Sequence, residues 1–344
     1  MPKLKNNART RFGIVLSFVF VFCLFLQQGF TQTAVTEVGA IGLTVSNLKH
    51  SIDFYSNVLS FKKVSDVEVV GTEYEHLQGV FGLRMRVVRM KLGDESIELT
   101  EYLAPQGRPM PHDSRSNDLW FQHIAIVVSD MEKAYDHLRK YNIRYASSAP
   151  QRLPDWNKNA AGIKAFYFRD PDDHFLEIIY FPTGKGNAKW QKANGTLFLG
   201  IDHTAIVVSN TERSLAFYKD LLGFQIAGES ENYGTEQEHL NNVFGAHLRI
   251  TGLRVSKGPG IELLEYLTPR DGRPMPPDIH SNDLMHWQTD LIVSNIEQSA
   301  QQVKEAHAIF VSSNVVTIQE RIVGFRKGLL LRGPDGHAMR FIEK

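Results

Sequence analysis

Two histidines open almost the same strand. "HIAIVVSD" begins at His123 and "HTAIVVSN" at His203, each a run of apolar and β-branched residues ending in Ser-Asp or Ser-Asn. Two glutamates keep equally apolar company, Glu177 in "HFLEIIYF" and Glu262 in "GIELLEY". A carboxylate in such surroundings is costly unless it is paired, protonated or bound to a cation. Neutral imidazole and carboxylate together suit Zn, Ni, Fe or Mn without help from sulfur. Sulfur is excluded on other grounds. The single cysteine, Cys23, lies in an N-terminal apolar stretch, so the mature chain has no thiol nucleophile, disulfide or Cys-bound zinc. Glu265 has the opposite strand parity to Glu262, so one of the two faces away, and alternation alone does not say which.

The elements that carry these residues repeat. "SIDFYSNVLSF" at 51 returns as "SLAFYKDLLGF" at 214, "GTEYEHLQGVFG" at 71 as "GTEQEHLNNVFG" at 234, and "RDPDDHFLEI" at 169 as "RGPDGHAMRF" at 332. The offset is a steady 163 residues. Residues 37–184 and 198–344 are thus two copies of one unit, joined by a Gly/Asn/Lys-rich linker at 185–197. Each copy is itself double. A strand runs into a helix capped by Ser209 or Asn210 and stopped at Gly223, and three strand-like stretches follow. The chain therefore reads as four β-α-β-β-β units, with "AIGLTVSN" and "QTDLIVSN" opening the outer two without a histidine.

Composition narrows the partners. Basic and acidic residues are balanced at 38 each, which gives no electrostatic reason to expect nucleic acid. No phosphate-binding loop, dinucleotide fingerprint or Ser-His-Asp order is present, and the small-molecule substrate expected of this chain follows instead from the family resemblance its repeats carry. Residues 1–34 place Lys3, Lys5, Arg9 and Arg11 before "GIVLSFVFVFCLFL", the pattern of a signal peptide or membrane anchor. The expectation is export to the periplasm or medium, with membrane contact only through an uncleaved anchor.

Four such units, turns of the "DPDDH" type and strands of the "IELLEY" type resemble the vicinal oxygen chelate superfamily, which includes glyoxalase I, extradiol dioxygenases and bleomycin-resistance proteins. The resemblance covers nearly everything after residue 37. It implies an α+β fold of two tandem glyoxalase-like domains, 37–184 and 198–344, with units paired into cupped mixed sheets and helices on the outer face. It also implies metal ligands from the first and last strands of each unit: Ala40 and Glu98, His123 and Glu177, His203 and Glu262, Gln288 and Arg340. Ala40 cannot bind a metal, and Arg340 repels one. If neighbouring units pair, both sites are damaged. If the second unit pairs with the third and the first with the fourth, one site is complete and the other dead. Ligand economy favours this crossed arrangement.

The resemblance then implies a metal-dependent lyase or isomerase that chelates two vicinal oxygens and stabilises an enediolate, with His123, His203, Glu177 and Glu262 as ligands and the two glutamates as catalytic groups. An Fe-dependent dioxygenase and a metal-free binding protein are the alternatives. An exported protein meets little glutathione, which argues against a glutathione-adduct substrate. His76 and His239 recur in both copies and are expected to line a pocket or cap a helix. His174 and His337 read as turn residues, "RSNDLWFQ" and "HSNDLMHWQ" as linkers that position strands, and Trp120 and Trp287 as cup lining or core. Phe121 and Tyr266 are expected to touch substrate.

Overall fold

The computed structural model describes residues 35–192, 195–319 and 321–344, so residues 1–34, on which the expectation of export rests, and Cys23 among them, lie outside the described residues. The first unit comprises β1 (Val35–Thr44), α1 (Leu48–Asn57), β2 (Lys62–Val70), a short α2 (Thr72–Gln78), β3 (Arg84–Leu92) and β4 (Glu95–Ala104). The second comprises β5 (Gln122–Val128), α3 (Met131–Arg139), the two-residue strands β6 (Arg144–Tyr145) and β7 (Gln151–Arg152), β8 (Lys164–Arg169) and β9 (Phe175–Tyr180). The third repeats the first: β10 (Phe198–Val207), α4 (Thr211–Leu215) continuing as a π-helical turn over Ala216–Leu221, β11 (Gln225–Tyr233), α5 (Thr235–Asn241), β12 (His247–Arg254) and β13 (Gly260–Thr268). The fourth repeats the second: β14 (Trp287–Val293), α6 (Ile296–Glu305), β15 (Ile309–Phe310), β16 (Val316–Thr317), β17 (Lys327–Arg332) and β18 (Ala338–Glu343).

The four Ser-Asn and Ser-Asp pairs now have a cause. The side-chain oxygens of Asn47, Asp130, Asn210 and Asn295 each accept a backbone N–H three residues on, capping α1, α3, α4 and α6. Each cap stabilises its helix by about 1 kcal/mol. The cap is the residue after the serine.

Two nine-stranded sheets result. One holds β1 against β14 antiparallel at its centre, the other β5 against β10. The first unit therefore pairs with the fourth and the second with the third, and each sheet takes one unit from either half of the sequence. Ile124, Ile126 and Val128 of β5 point into a core shared with α1, α3 and the other sheet. Strand alternation turns His123, Ala125 and Val127 to the opposite, cupped face. Helices α4 and α6 contribute to a second core of the same kind.

A reciprocal clasp holds the crossed arrangement. Arg108 of the first "GRPMP" grips Asp283 of the second "SNDL" at 2.7 Å, and Arg273 grips Asp118 at 2.7 Å. Backbone bonds run beside them, Leu284 N–H to Arg108 O at 2.9 Å and Leu119 N–H to Arg273 O at 2.8 Å. The chains approach so closely that a Cβ on Gly107 would lie 2.0 Å from Asn282 O, and one on Gly272 1.9 Å from Asn117 O. Only glycine fits at either position.

Candidate metal centre

Strand register delivers four side chains to one place. Glu177 sits beside Ala125 in the parallel β5–β9 ladder, and Glu262 beside Ala205 in the parallel β10–β13 ladder. Across the central antiparallel pair His203 opposes Ala125, and His123 opposes Ala205. Two alanines thus leave the middle of the cup open, with a histidine and a glutamate at each side.

Ligand atoms of His123, Glu177 and His203 all lie within 4.8 Å of one another, and all three residues are buried. Glu177 Oε2 is 3.1 Å from His123 Nε2 and 3.7 Å from His203 Nε2. Glu262 flanks the trio, its Oε2 3.5 Å from His203 Nε2. Despite these distances both Nε2 atoms lack a hydrogen-bond partner, as does His123 Nδ1. Buried imidazole nitrogens left unpaired are costly. The two Nε2 atoms are accounted for if they point at a shared centre rather than at one another. Neighbouring ligands about 2.1 Å from one ion lie about 3.0 Å apart in an octahedron and about 3.4 Å apart in a tetrahedron. The donor set and its spacing fit a divalent transition metal, whose identity they leave open.

Behind His203 stands a residue that strand alternation hides. Asp202 falls in a β-bulge, the register slipping between Ile201 and His203, and this turns its carboxylate to the cup side. It accepts from His203 Nδ1 at 3.0 Å, from Trp190 Nε1 at 2.7 Å and from Arg254 at 2.7 Å. Trp190 comes from a 3₁₀ turn, Ala188–Gln191, inside the linker. With Nδ1 donating, the His203 tautomer leaves Nε2 free to ligate. Burial opposes the charge on His203, yet Glu262, Asp202 and Glu177 push the ring up to about 9 in the protein alone. Burial would raise Asp202 as well, but His203, Arg254 and Trp190 hold it well below the usual carboxylate range.

Glu262 is the accessible member, its side chain 25% exposed against 5% for Glu177. Burial of its carboxyl, aided by the Glu177 charge, outweighs His203 and His123 and raises its proton affinity. Together they border a cavity of about 440 Å³, walled by residues of β8, β9, β11, β12 and α5. Its size suits a small organic molecule.

The other sheet shows what became of the matching positions. Ala40 and Gln288 stand where the histidines would be, and Gly42 makes room for Gln288, whose Cγ would lie 2.7 Å from an added Cβ. Arg340 replaces Glu177 and bonds Asp290 at 2.8 Å and Glu98 at 2.8 Å, while Arg89 holds the other oxygen of Glu98 at 3.1 Å. The Arg340 guanidinium thus occupies the place of a cation. Phe325 covers it, 4.9 Å from guanidinium carbon to ring centre. The 163-residue offset sets Gly252 against Arg89, so a glycine stands on the wall of the open cup where a filler stands in the sealed one. Only about 10 Å³ remains beside Gln288.

The remaining sequence candidates sort by contact. Glu265 is the glutamate that faces away, accepting the Thr211 N–H at 2.9 Å at the start of α4. His174 bonds Asp170 at 2.9 Å and Leu284 O at 2.8 Å, and His337 bonds Val207 O at 2.9 Å, which makes both structural. Phe121 packs edge-on against His123, 5.5 Å between ring centres. Phe121, Tyr266, His76 and His239 are absent from the cavity wall, which α5 borders through Gln237 and Leu240. The expectations of substrate contact for the two aromatics and of pocket lining for the two histidines are corrected accordingly. Trp120 and Trp287 are packed in apolar clusters away from the cavity. Among the described residues no helix is long and apolar enough to cross a membrane.

Comparison with known proteins agrees with this architecture. The pattern of the Glyoxalase/Bleomycin resistance protein/Dioxygenase superfamily matches residues 37–178 and again 200–341. A 2-epi-5-epi-valiolone epimerase of Actinomyces sp is 28% identical over 155 residues, 42% of this chain and 79% of the relative. Glyoxalase I of Saccharomyces cerevisiae is 26% identical over 132 residues, 38% of this chain and only 35% of the relative. The crystal structure of glyoxalase I from Zea mays superposes over 90% of this chain and 92% of its own with a TM-score of 0.58 at 14% identity. A putative dioxygenase from Bacillus subtilis does so over 90% and 86%, with a TM-score of 0.54 at 15% identity. At these identities the structural likeness speaks for the fold. The chain belongs to the Glyoxalase/Bleomycin resistance protein/Dioxygenase superfamily.

Proposed function

We propose that this protein is a metal-dependent lyase or isomerase of the glyoxalase type, which removes a proton next to a carbonyl in a small substrate carrying two adjacent oxygens. The observation that carries the reading is the pair of buried, unpartnered Nε2 atoms of His123 and His203, turned toward Glu177 on a cavity wall. His123, His203 and Glu177 would hold the ion, with Glu262 beside them. A divalent cation there supplies Lewis acidity to the substrate oxygens. Glu262 is the proton acceptor: it is the accessible carboxylate, and its raised proton affinity suits a group that must take a proton and return it. Asp202 keeps His203 oriented. The relatives named as an epimerase and as glyoxalase I support this choice of chemistry.

The test joins metal analysis to proton exchange. Wild-type protein should hold one divalent ion per chain, and His123→Ala or Glu177→Ala should lose it while remaining folded. Solvent deuterium should enter hydroxyacetone in the presence of wild-type protein, and Glu262→Gln should slow this by about 10²–10⁴-fold with metal retained. Stoichiometric metal in both alanine variants would overturn the assignment. One feature favours a second reading. The buried trio is two histidines and one carboxylate, the set used by Fe-dependent oxygenases. Oxygen uptake with catechol by iron-loaded, anaerobically prepared protein would favour that reading over proton transfer.

A further inference from the structure

The wall of the open cup carries more information than its metal ligands. Four carboxylates line it, those of Glu177, Asp202, Glu229 and Glu262, against a single guanidinium, Arg254. That guanidinium is already committed to Asp202. Even a bound divalent ion leaves no surplus positive charge for a phosphate or a second carboxylate. Besides His203, the other polar groups on the wall are neutral: the Tyr167 and Ser230 hydroxyls and the amides of Asn159, Asn187, Asn232 and Gln237.

Gln237 stands out among them. It is 2% exposed, and its Oε1 has no hydrogen-bond partner although it belongs to the cavity wall. Its amide donates to Asn241 Oδ1, whose own Nδ2 is likewise unpaired. Turning both amides over would exchange donor for acceptor and still leave one atom of Gln237 unmatched. A hydroxyl, being both donor and acceptor, satisfies either orientation. In the sealed cup the 163-residue offset places Tyr74, a buried filler, at this position.

We propose that Gln237, on the α5 side of the cavity, binds a hydroxyl of the substrate, and that the substrate is a neutral, polyhydroxylated carbonyl compound rather than a phosphorylated or acidic one. This rests on the metal-dependent reading for the carbonyl of the substrate and on Gln237 for the hydroxyl. The test is calorimetric titration of the metal-loaded protein with a panel of neutral probes, inososes and open-chain ketoses, and with ketose phosphates. Neutral members should bind at least about ten-fold more tightly than their phosphates. Gln237→Leu should weaken the neutral probes by about ten-fold, the loss expected for one buried hydrogen bond, with metal content unchanged. Tighter phosphate binding, no saturable binding of any neutral probe at millimolar concentration, or equal affinity in Gln237→Leu would overturn the proposal. The comparison of neutral with phosphorylated probes needs no variant, so it stands if Gln237→Leu fails to fold. Wild-type protein without stoichiometric metal that still binds neutral probes through Gln237 would defeat the metal reading and leave this one intact.

Discussion

Replacing Asp202 by asparagine tests whether the bulge carboxylate serves the metal site. Asp202 accepts three hydrogen bonds, of which those from His203 at 3.0 Å and Arg254 at 2.7 Å reach the same oxygen. Asparagine keeps the shape but loses the charge, and its amide NH₂ must face either Trp190 or the His203–Arg254 side. Loss of a carboxylate behind a ligating histidine costs about 10- to 100-fold in metal affinity, about 1.4–2.8 kcal/mol. The same carboxylate also raises the proton affinity of His203, so a second effect runs the other way. With His203 at about 9, a metal binding at neutral pH must displace a proton. That competition costs about 100-fold at pH 7, and Asp202→Asn relaxes it.

The two effects separate with pH. Above about pH 9 the proton no longer competes, and Asp202→Asn should bind metal 10- to 100-fold more weakly than wild type. Near pH 7 the gap should narrow, and proton release per ion should fall below the wild-type value. The assay is competition against a chromophoric chelator at both pH values, with proton release followed in weak buffer. Equal affinities above pH 9, in protein whose His203→Ala variant loses metal, would refute the role given to Asp202.

Three further outcomes are expected. Arg340→Met leaves Glu98 and Asp290 buried without their cation and should cost about 3–5 kcal/mol in urea unfolding, whereas a change below about 1 kcal/mol would show the carboxylates neutralise cheaply. Gly252→Arg places a guanidinium beside Glu262 as Arg89 stands beside Glu98; the site has room, the nearest atom to an added Cβ being 3.7 Å away. Bound metal should fall at least about tenfold while the unfolding temperature holds, and full metal content would sink the comparison of the two cups. Burial, then Arg332, lower His286 from 6.5 to about 3, so the folded state resists its protonation. Its contribution is intact above 6.5 and is lost as pH falls from 6.5 toward 3. His286→Gln should flatten that acid limb, measured as urea midpoints at pH 7 and pH 4, and an unchanged slope would exclude His286 as its source.

The repeat made the ligand positions legible because strand register is fixed by alternation and by the capped helices that follow. His123, Glu177, His203 and Glu262 meet in the cup, and the crossed pairing follows from where complete ligand sets could form. Repetition misled in one respect. Residues kept in both copies, such as His76, His239, His174 and His337, attract notice, yet none of the four lines the open cavity. The cavity is bordered by residues that differ between the copies: Gln237 against Tyr74 and Gly252 against Arg89. Asp202 escaped because a bulge reverses its face, which no period-two pattern reveals. Trp190 escaped because it lies in a linker, where sequence spacing says nothing of spatial contact. Glu265 was ambiguous until the helix it caps was in view.

The two cups are two solutions to one electrostatic problem. Each turns carboxylates into a buried space, and each must supply positive charge to keep them ionised. In the sealed cup Arg340 does so covalently, with Glu98 and Asp290 as its fixed partners and Phe325 over its face. Arg340 is buried beneath Phe325, with its Nε and Nη2 spent on the two carboxylates, so a substrate oxygen has no approach to it. In the open cup the protein's own share is the His203 proton, held by Asp202, Glu262 and Glu177. That proton can leave, and an exchangeable cation can take its place with positions to spare for a ligand. On the proposed function the chemistry belongs to the sheet whose charge is not built in, while the other sheet, joined to it through shared cores, serves as its rigid support.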